Sequence, residues 1–119
     1  MLSATSTDLN NAGNDNLANV EIVTAAAAGA AVSINLSSQT EALTIIGAST
    51  KANTITGGNG ASTITGGSAA DVITGGATGI NTFVYTTLGD SIAATYDTIQ
   101  DFKAKELFKV SHAVDTANV

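Results

Sequence analysis

Large aliphatic residues recur at a fixed interval through the centre of the chain. Ile55, Ile64 and Ile73 lie nine residues apart, each flanked by threonine or valine, and Phe83 follows at an interval of ten. This alternation predicts short strands whose central residue is buried and whose neighbours face outward. A Gly-Gly pair follows each isoleucine. A nine-residue period with a glycine turn is typical of a parallel β-helix or β-roll.

The period also predicts how the strands stack. Two nine-residue units complete one turn of the coil, so each position lies over the position 18 residues later. Successive strands then line opposite walls. We expect Ile55 to neighbour Ile73 on one wall and Ile64 to neighbour Phe83 on the other, about 4.8 Å apart.

The segments on either side predict further strands of the same all-β domain. Residues 20–24, 32–36 and 43–46 alternate like strands at a wider spacing, and residues 97–102 and 106–111 follow the repeats. The alanine-rich run at 25–31 contains Gly29 and predicts a tight turn. All three phenylalanines, Tyr85 and Tyr96 fall from residue 83 onward, where bulky side chains would cap the open core.

The predicted organisation is therefore one solenoid domain between two short terminal segments. It comprises a polar lead-in (1–19), the β-roll domain (20–111) and a tail (112–119). Within the domain we expect irregular rungs at 20–47, regular rungs at 48–86 and the aromatic cap at 87–111.

The composition limits the kinds of molecule that the protein is expected to bind. The net charge is −6, with four lysines, no arginine and no cysteine. Disulfides and zinc–thiolate sites are excluded, and the lack of a basic stripe argues against nucleic acid and anionic membranes. The apolar run at 25–32 is too short to insert into a membrane. No cleavable N-terminal signal peptide is visible. Multivalent cations are the partners that such a surface favours.

No catalytic arrangement emerges. His112 is the single histidine, no H-E-x-x-H is present, and no Gly-Lys-Ser/Thr follows the glycine pairs. We therefore predict a non-enzyme without catalytic residues or an organic cofactor.

The repeats resemble a known family. Residues 57–65, 66–74 and 75–83 are similar to the G-G-x-G-x-D-x-U-x units of the RTX (repeat-in-toxin) proteins. Residues 81–85, 90–91 and 97–102 resemble the segment that closes the β-roll in serralysin-type secreted proteases. The resemblance implies a right-handed parallel β-roll with calcium in its turns. It also implies type I secretion and a location outside a bacterium, free or on the cell surface.

The chain departs from the family at the aspartate position, which is filled by Asn53, Ser62, Asp71 and Asn81. Calcium affinity depends on ligand charge, so we expect degenerate sites with Asp71 as the best single ligand. Asn and Ser can instead bond the turn backbone themselves, which leaves a metal-free roll open. The candidate metal ligands are Asp71, Asn53, Gly57 and Gly66 in the repeats and Asp90, Asp97 and Asp101 in the cap.

Three functions remain open. A structural protein would associate through the open strand edges at its ends into a surface layer, matrix or filament, and we expect no cap at the N-terminal end. A calcium-responsive secretion and folding module would serve a larger effector. An ice-binding surface would use the Thr-x-Thr rows. Lys103, Lys105 and Lys109 either make an intermolecular charge contact or are solvated.

Overall fold

The computed structural model describes residues 5–110, and these form a parallel β-solenoid. The strands are Ile22–Thr24 (β1), Ser33–Asn35 (β2), Thr44–Ile46 (β3), Thr54–Thr56 (β4), Thr63–Thr65 (β5), Val72–Thr74 (β6), Thr82–Tyr85 (β7), Thr98–Ile99 (β8) and Leu107–Val110 (β9). One short helix, Thr7–Asn10 (α1), and a 3₁₀ turn, Asn14–Asn16, precede them. The all-β prediction is confirmed. His112 and the tail at 112–119 lie outside the described residues.

The strands alternate between two parallel sheets. One sheet has the order β1-β3-β5-β7-β9 and the other β2-β4-β6-β8. Ile55 pairs with Ile73 and Ile64 with Phe83, which confirms the predicted stacking of alternate repeats. The earlier strands join the same ladders, since Ile34 pairs with Ile55.

The core is a narrow column between the sheets. The central residue of each regular strand is buried, with Ile55 and Ile64 fully shielded from solvent, whereas Thr54 and Thr63 on the outer faces are exposed. Burying one such side chain stabilises the fold by about 1.5–3 kcal/mol. Neighbouring residues in a strand point to opposite faces, so the aliphatic residue cannot be shifted by one position without turning it outward.

Glycine pairs are needed because the turns stack closely. Gly67 and Gly76 have φ angles of 133° and 123°, which side chains rarely adopt. A Cβ added to Gly76 would also collide with the carbonyl oxygen of Gly58, one coil earlier. The pairs therefore serve both the conformation and the spacing of the turns.

The N-terminal end is covered in part, which differs from the expected open end. The Asn10 side chain donates to the Ser33 carbonyl oxygen at 3.0 Å and accepts from the Asn35 N–H at 2.8 Å. The Thr5 hydroxyl accepts from the Ser33 N–H at 2.8 Å. An asparagine amide offers one donor and one acceptor face, so it imitates the missing strand beside β2. Within residues 5–110, β1 pairs with β3 alone.

The C-terminal coil carries the expected aromatic cluster. The Phe102 and Phe108 rings stack with centroids 4.9 Å apart, and both lie within 6.0 Å of the Phe83 ring. Phe83 is buried, but Phe102 and Phe108 remain 49% and 54% exposed. The cluster thus closes the core and leaves an apolar outer face. Across the described part of the chain, no helix is long and apolar enough to cross a membrane.

Candidate functional site

The turns between strands form two stacks, one along each side of the solenoid. The first stack contains the turns at 47–53, 66–71 and 86–97, and the second contains those at 57–62, 75–81 and 100–106. The predicted ligands divide between them: Asn53, Gly66, Asp71, Asp90 and Asp97 lie in the first stack, whereas Gly57 and Asp101 lie in the second. The three cap carboxylates are therefore not gathered at one place.

The family's aspartate position points into the turns. Asn53, Ser62, Asp71 and Asn81 are each no more than 2% exposed. The strand registers place Val32 one coil before Asn53 and Leu43 one coil before Ser62, and both are buried. The polar rows thus begin with the regular repeats and replace an apolar row.

Each row is held together by backbone hydrogen bonds from the previous coil. Asp71 Oδ1 accepts from the Asn53 N–H at 2.7 Å, and Asp97 Oδ1 accepts from the Asp71 N–H at 2.9 Å. On the other side, Asn81 Oδ1 accepts from the Ser62 N–H at 2.9 Å. These side chains therefore form hydrogen bonds to the turn backbone themselves. The sequence left two possibilities open, calcium ligation and hydrogen bonding of this kind.

Asn53 has an unusual number of oxygen neighbours. Its Nδ2 lies 3.1, 2.7 and 3.1 Å from the carbonyl oxygens of Ala48, Lys51 and Gly66, and 2.8 Å from Asp71 Oδ1. Its Oδ1 accepts from the Ala48 N–H at 2.9 Å, which fixes the orientation of the amide. An amide nitrogen carries two hydrogens, so four oxygens exceed what it can bond at once.

Two side chains at this repeat position have a buried oxygen without a partner among the described residues, the Ser62 hydroxyl and the Asp71 carboxylate, and Asp71 is the one that can carry a charge. Its Oδ2 is buried, and no hydrogen-bond donor among residues 5–110 reaches it. The oxygen lies against Gly66, where any Cβ would overlap it. Burial raises the pKa of Asp71, and the charge of Asp90 raises it further, against the opposing bonds from Asn53. When Asp71 is ionised, its charge is therefore only partly compensated by the described residues.

Asp97 extends this row toward the C-terminal end. Burial raises its pKa to about 6, and the charge of Asp71 adds to the rise, against the opposing bond from the Asp71 N–H. Tyr85 lies beside it, and burial together with the Asp97 charge raises the tyrosine pKa to about 12. Asp71 and Asp97 therefore form an undercompensated pair.

Asp90 is satisfied within its own loop. Its carboxylate accepts from the N–H groups of Thr86 and Thr87 at 2.6 and 2.9 Å, and from both hydroxyls. Burial opposes ionisation, but these bonds outweigh it and lower the pKa of Asp90. A surface cleft of about 380 Å³, lined by Gly66, Thr86 and Asp90 among others, opens over this part of the first stack.

In the second stack, the charge of the Asp101 carboxylate is balanced by hydrogen-bond donors and a lysine. Asp101 accepts from the Gly75 and Gly76 N–H groups at 2.6 and 3.1 Å and pairs with Lys103 Nζ at 2.9 Å. Burial acts against ionisation, but the bonds from Lys103 and the two glycines lower the pKa of Asp101. Gly57 lines a cleft of about 360 Å³ with Asp101.

Sequence reasoning missed Glu106, which is 7% exposed. Its Oε1 accepts from Asn81 Nδ2 at 2.9 Å, and its Oε2 accepts from the Lys103 N–H at 2.7 Å. The signal was available in the register, because Glu106 precedes β9 as Asn81 precedes β7.

The two stacks differ in how they fit a calcium ion. Nowhere in residues 5–110 do three acidic or histidine side chains gather as a metal-binding group, so most ligands would be backbone carbonyls, which calcium accepts. The turn at Asn53 does not fit, because the amide nitrogen already fills its oxygen cage. The turn at Asp71 fits, because Oδ2 is buried and lacks a donor.

Comparison with known proteins identifies the repeats. Residues 48–78 match the family model of the RTX calcium-binding nonapeptide repeat, which spans four copies. No curated protein and no solved structure matches the chain significantly. The matched residues cover the turns at Asn53, Ser62 and Asp71 and the strands β4, β5 and β6. The match confirms the resemblance of residues 48–78 to the RTX calcium-binding repeat, and it does not extend to the segment at 81–102.

Proposed function

We propose that the protein is a non-enzymatic, calcium-binding β-roll that associates end to end into an extracellular layer, matrix or filament. The observation that carries the calcium role is the buried Asp71 Oδ2, which has no donor among the described residues. A buried charge without a partner destabilises a fold strongly, and a bound cation removes that cost.

Calcium suits this position on chemical grounds. Asp71 and Asp97 lie one above the other with raised pKa values, so their charges are only partly compensated. Calcium takes six to eight oxygen ligands and accepts backbone carbonyls and water beside one or two carboxylates. The residues that would hold the ion are Asp71 and Asp97, with carbonyl groups of the 66–71 turn. When bound, the ion supplies positive charge and cross-links successive coils.

Thermal unfolding with calcium and with EGTA tests this role. Calcium should raise the melting temperature of the wild type, because binding to the folded state alone stabilises it. Asp71→Asn should lose most of that rise. Asp15→Asn is the matched control, since Asp15 lies in the exposed 3₁₀ turn away from both stacks, and it should keep the full rise. A wild type that melts identically in calcium and EGTA would refute the proposed site.

End-to-end association follows from the two unpaired strands of the larger sheet. Within residues 5–110, β9 pairs with β7 alone and β1 with β3 alone, so each presents one free edge. Both belong to a sheet whose strands are all parallel, so β1 of a second copy would continue the ladder beyond β9 in the same geometry. Exposed edges of this kind pair readily with another chain. A contact between opposite ends does not close on itself and produces a filament.

Exposed apolar side chains and charged residues at the two ends can also contribute to this contact. Leu107, Phe108 and Val110 of β9 are more than half exposed, as is Ile22 of β1. Three of the four lysines, Lys103, Lys105 and Lys109, lie in the last coil, whereas Asp8, Asp15, Glu21 and Glu41 precede the regular repeats, where no lysine occurs. The last coil as a whole is neutral, because Asp97, Asp101 and Glu106 offset these lysines. Lys105 and Lys109 nevertheless provide individual positive groups that can face the acidic N-terminal end of another copy.

Sedimentation and electron microscopy test the association. The wild type should form elongated particles whose size increases with concentration. Leu107→Lys should reduce them, because it places a charge on the free strand at the C-terminal end. Ile80→Lys is the control, since Ile80 is also exposed but lies in a side turn. A wild type that stays monomeric at the highest attainable concentration would disprove the association.

Export to the outside of a bacterium by a type I apparatus is part of this proposal and rests on the repeat class alone. The second candidate, a calcium-responsive folding module of a larger secreted effector, requires the roll to be disordered in EGTA. Circular dichroism separates the two, because a roll that keeps its β signal in EGTA excludes obligatory folding by calcium. Thermal unfolding with calcium and with EGTA tests calcium binding for either candidate.

A further inference from the structure

Three side-chain nitrogens make the same kind of contact between successive turns. Each bridges a carbonyl oxygen of a turn and a carboxylate oxygen of the coil above or beside it. They are Asn53 Nδ2, Asn81 Nδ2 and Lys103 Nζ.

Asn53 gives the fullest example. Four oxygens surround Nδ2 within 3.1 Å: three carbonyls and Asp71 Oδ1. Two hydrogens cannot bond four oxygens, so the surroundings exceed the needs of an amide. Converging carbonyl and carboxylate oxygens are instead the ligand set of a hard cation. The amide nitrogen therefore lies in a cage built for positive charge.

Lys103 places an actual cation in the second stack. Its ammonium donates to the Gly76 carbonyl oxygen and, at 2.9 Å, to Asp101 Oδ2. Gly76 is the second glycine of a repeat pair, and Asp101 also accepts from the Gly75 and Gly76 N–H groups. The lysine thus ties a repeat turn to the carboxylate of the next coil.

Asn81 repeats the arrangement at the neighbouring position. Its Nδ2 donates to Gly79 O at 3.3 Å and to Glu106 Oε1 at 2.9 Å. The corresponding atom of Asp71 is Oδ2, since each lies against the first glycine of its own turn, Gly75 and Gly66 respectively. An oxygen at that position has no hydrogen to donate while ionised, which explains why Asp71 Oδ2 is left without a partner.

We propose that Asn53, Asn81 and Lys103 are built-in substitutes for calcium. Asn53 closes the level between the 47–53 and 66–71 turns without metal, Asn81 and Lys103 together close the level between the 75–81 and 100–106 turns, and Asp71–Asp97 is left as the cation-dependent level among the described residues. The proposal refines the calcium-binding role and builds on it. It specifies which turns exclude the ion and which residue in each turn does so.

Asn53→Asp tests the substitution directly. It keeps an acceptor for the Ala48 N–H but turns the nitrogen into an oxygen that faces the three carbonyls and Asp71. In EGTA the variant should melt at a lower temperature than the wild type. In calcium it should recover, and titration calorimetry should show one additional calcium per chain. The control is Asn35→Asp, which adds the same charge at an exposed position of β2 and keeps the acceptor for Ser37 N–H.

The outcomes separate this inference from the proposed function. If the wild type shows no calcium response but Asn53→Asp gains one, the substitution stands and the Asp71 site fails. If Asn53→Asp does not fold in EGTA, refolding it in calcium supports the inference when the β signal returns. The inference is overturned if the variant binds no more calcium than the wild type, or if calcium fails to restore its stability. Relative to the wild type, Asn53→Leu should be destabilised by the same amount in calcium and in EGTA, and a calcium response larger than that of the wild type would likewise overturn the inference.

Discussion

The two turn stacks have the same backbone plan and opposite electrostatics. In the second stack, Asp101 is paired with Lys103, and its pKa is lowered. In the first stack, Asp71 and Asp97 lie over each other without a cationic side chain, and burial raises the pKa of both. The single ion pair among residues 5–110 lies in the second stack.

The difference shows that the coil and its charge compensation are separate properties. Glycine pairs and buried isoleucines occur on both sides and are enough to stack the strands. Whether a buried charge is compensated depends on which residue fills the sixth position of the repeat and on which side chains of the next coil contact that residue. Protons and calcium should therefore act mainly on the first stack, and substitutions in the two stacks should differ in their effects accordingly.

The largest effect should come from Gly66→Ala. The added Cβ would overlap the Asp71 carboxylate, and the side chain that would have to move is itself buried. We expect a loss of about 2–3 kcal/mol in the free energy of unfolding, as for other overpacked sites. Urea denaturation measures it. Gly29→Ala is the control, because no atom lies within 4 Å of its added Cβ, and it should change stability by less than about 0.5 kcal/mol. Equal losses would show that the first stack is not specially tight.

The next largest effect should be the pH dependence of the protein's stability in EGTA. A carboxyl group whose pKa is higher in the folded state stabilises the fold below its unfolded pKa, here 3.8, and loses that contribution as the pH rises. Stability should therefore fall between about pH 4 and pH 6, where Asp97 ionises.

Melting temperatures across this range measure the pH effect. Calcium should flatten the fall, because a bound cation favours the ionised carboxylates, and Asp97→Asn should reduce it. Asp101→Asn serves as the contrast, since the lowered pKa of Asp101 contributes stability above pH 3.8 that is lost on acidification. A fall that Asp97→Asn leaves unchanged would assign the titration elsewhere.

A moderate gain is expected from Asp71→Asn in EGTA. The amide keeps the acceptor for Asn53 N–H and supplies a donor in place of the unsatisfied Oδ2, as Asn53 and Asn81 do. Removing an unsatisfied buried charge should stabilise the metal-free protein by about 1–2 kcal/mol. Chemical denaturation at neutral pH checks the sign. A destabilised variant would mean that the ionised carboxylate is already compensated.

The smallest effect should come from Lys103→Met in the second stack. The lysine side chain is 41% exposed, and partly exposed ion pairs contribute little, so a loss of about 0.5 kcal/mol is expected. Lys105→Met is the control at an exposed position nearby. The loss should be smaller in calcium than in EGTA, because removal of the ammonium leaves the Asp101 carboxylate and the Gly76 carbonyl oxygen to the ion. Equal losses in calcium and EGTA would show that calcium does not replace the ammonium at this position.

Particular residues show which features of the structure can be predicted from the sequence alone. The nine-residue interval of Ile55, Ile64 and Ile73 predicted both the strands and their partners, because a solenoid converts sequence period into spatial neighbours. The same period placed Asn53 beneath Asp71. The N-terminal cap was not predicted, because Asn10 meets Ser33 and Asn35 only after the chain has folded back over β2.

The cap carboxylates show the same limit. Asp90, Asp97 and Asp101 are close in sequence and resembled one group, but a strand between them carries Asp101 to the opposite side of the coil. Glu106 was missed because its role depends on register with Asn81. Non-local pairing of this kind is fixed by the length of each turn, and the cap turns have lost the nine-residue period.

By itself, then, the sequence determined the coil, its two walls, its buried row of isoleucines and the weakening of its aspartate row, since these follow from a local period that repeats. The tertiary structure decided which charges are compensated. Whether a buried carboxylate meets an amide or no donor depends on residues 18 to 25 positions away, as Asn53–Asp71 and Asn81–Glu106 show, and hydrogen bonds change with shifts of an ångström. The glycines and isoleucines therefore specify the β-roll, and contacts between coils specify where it needs a cation.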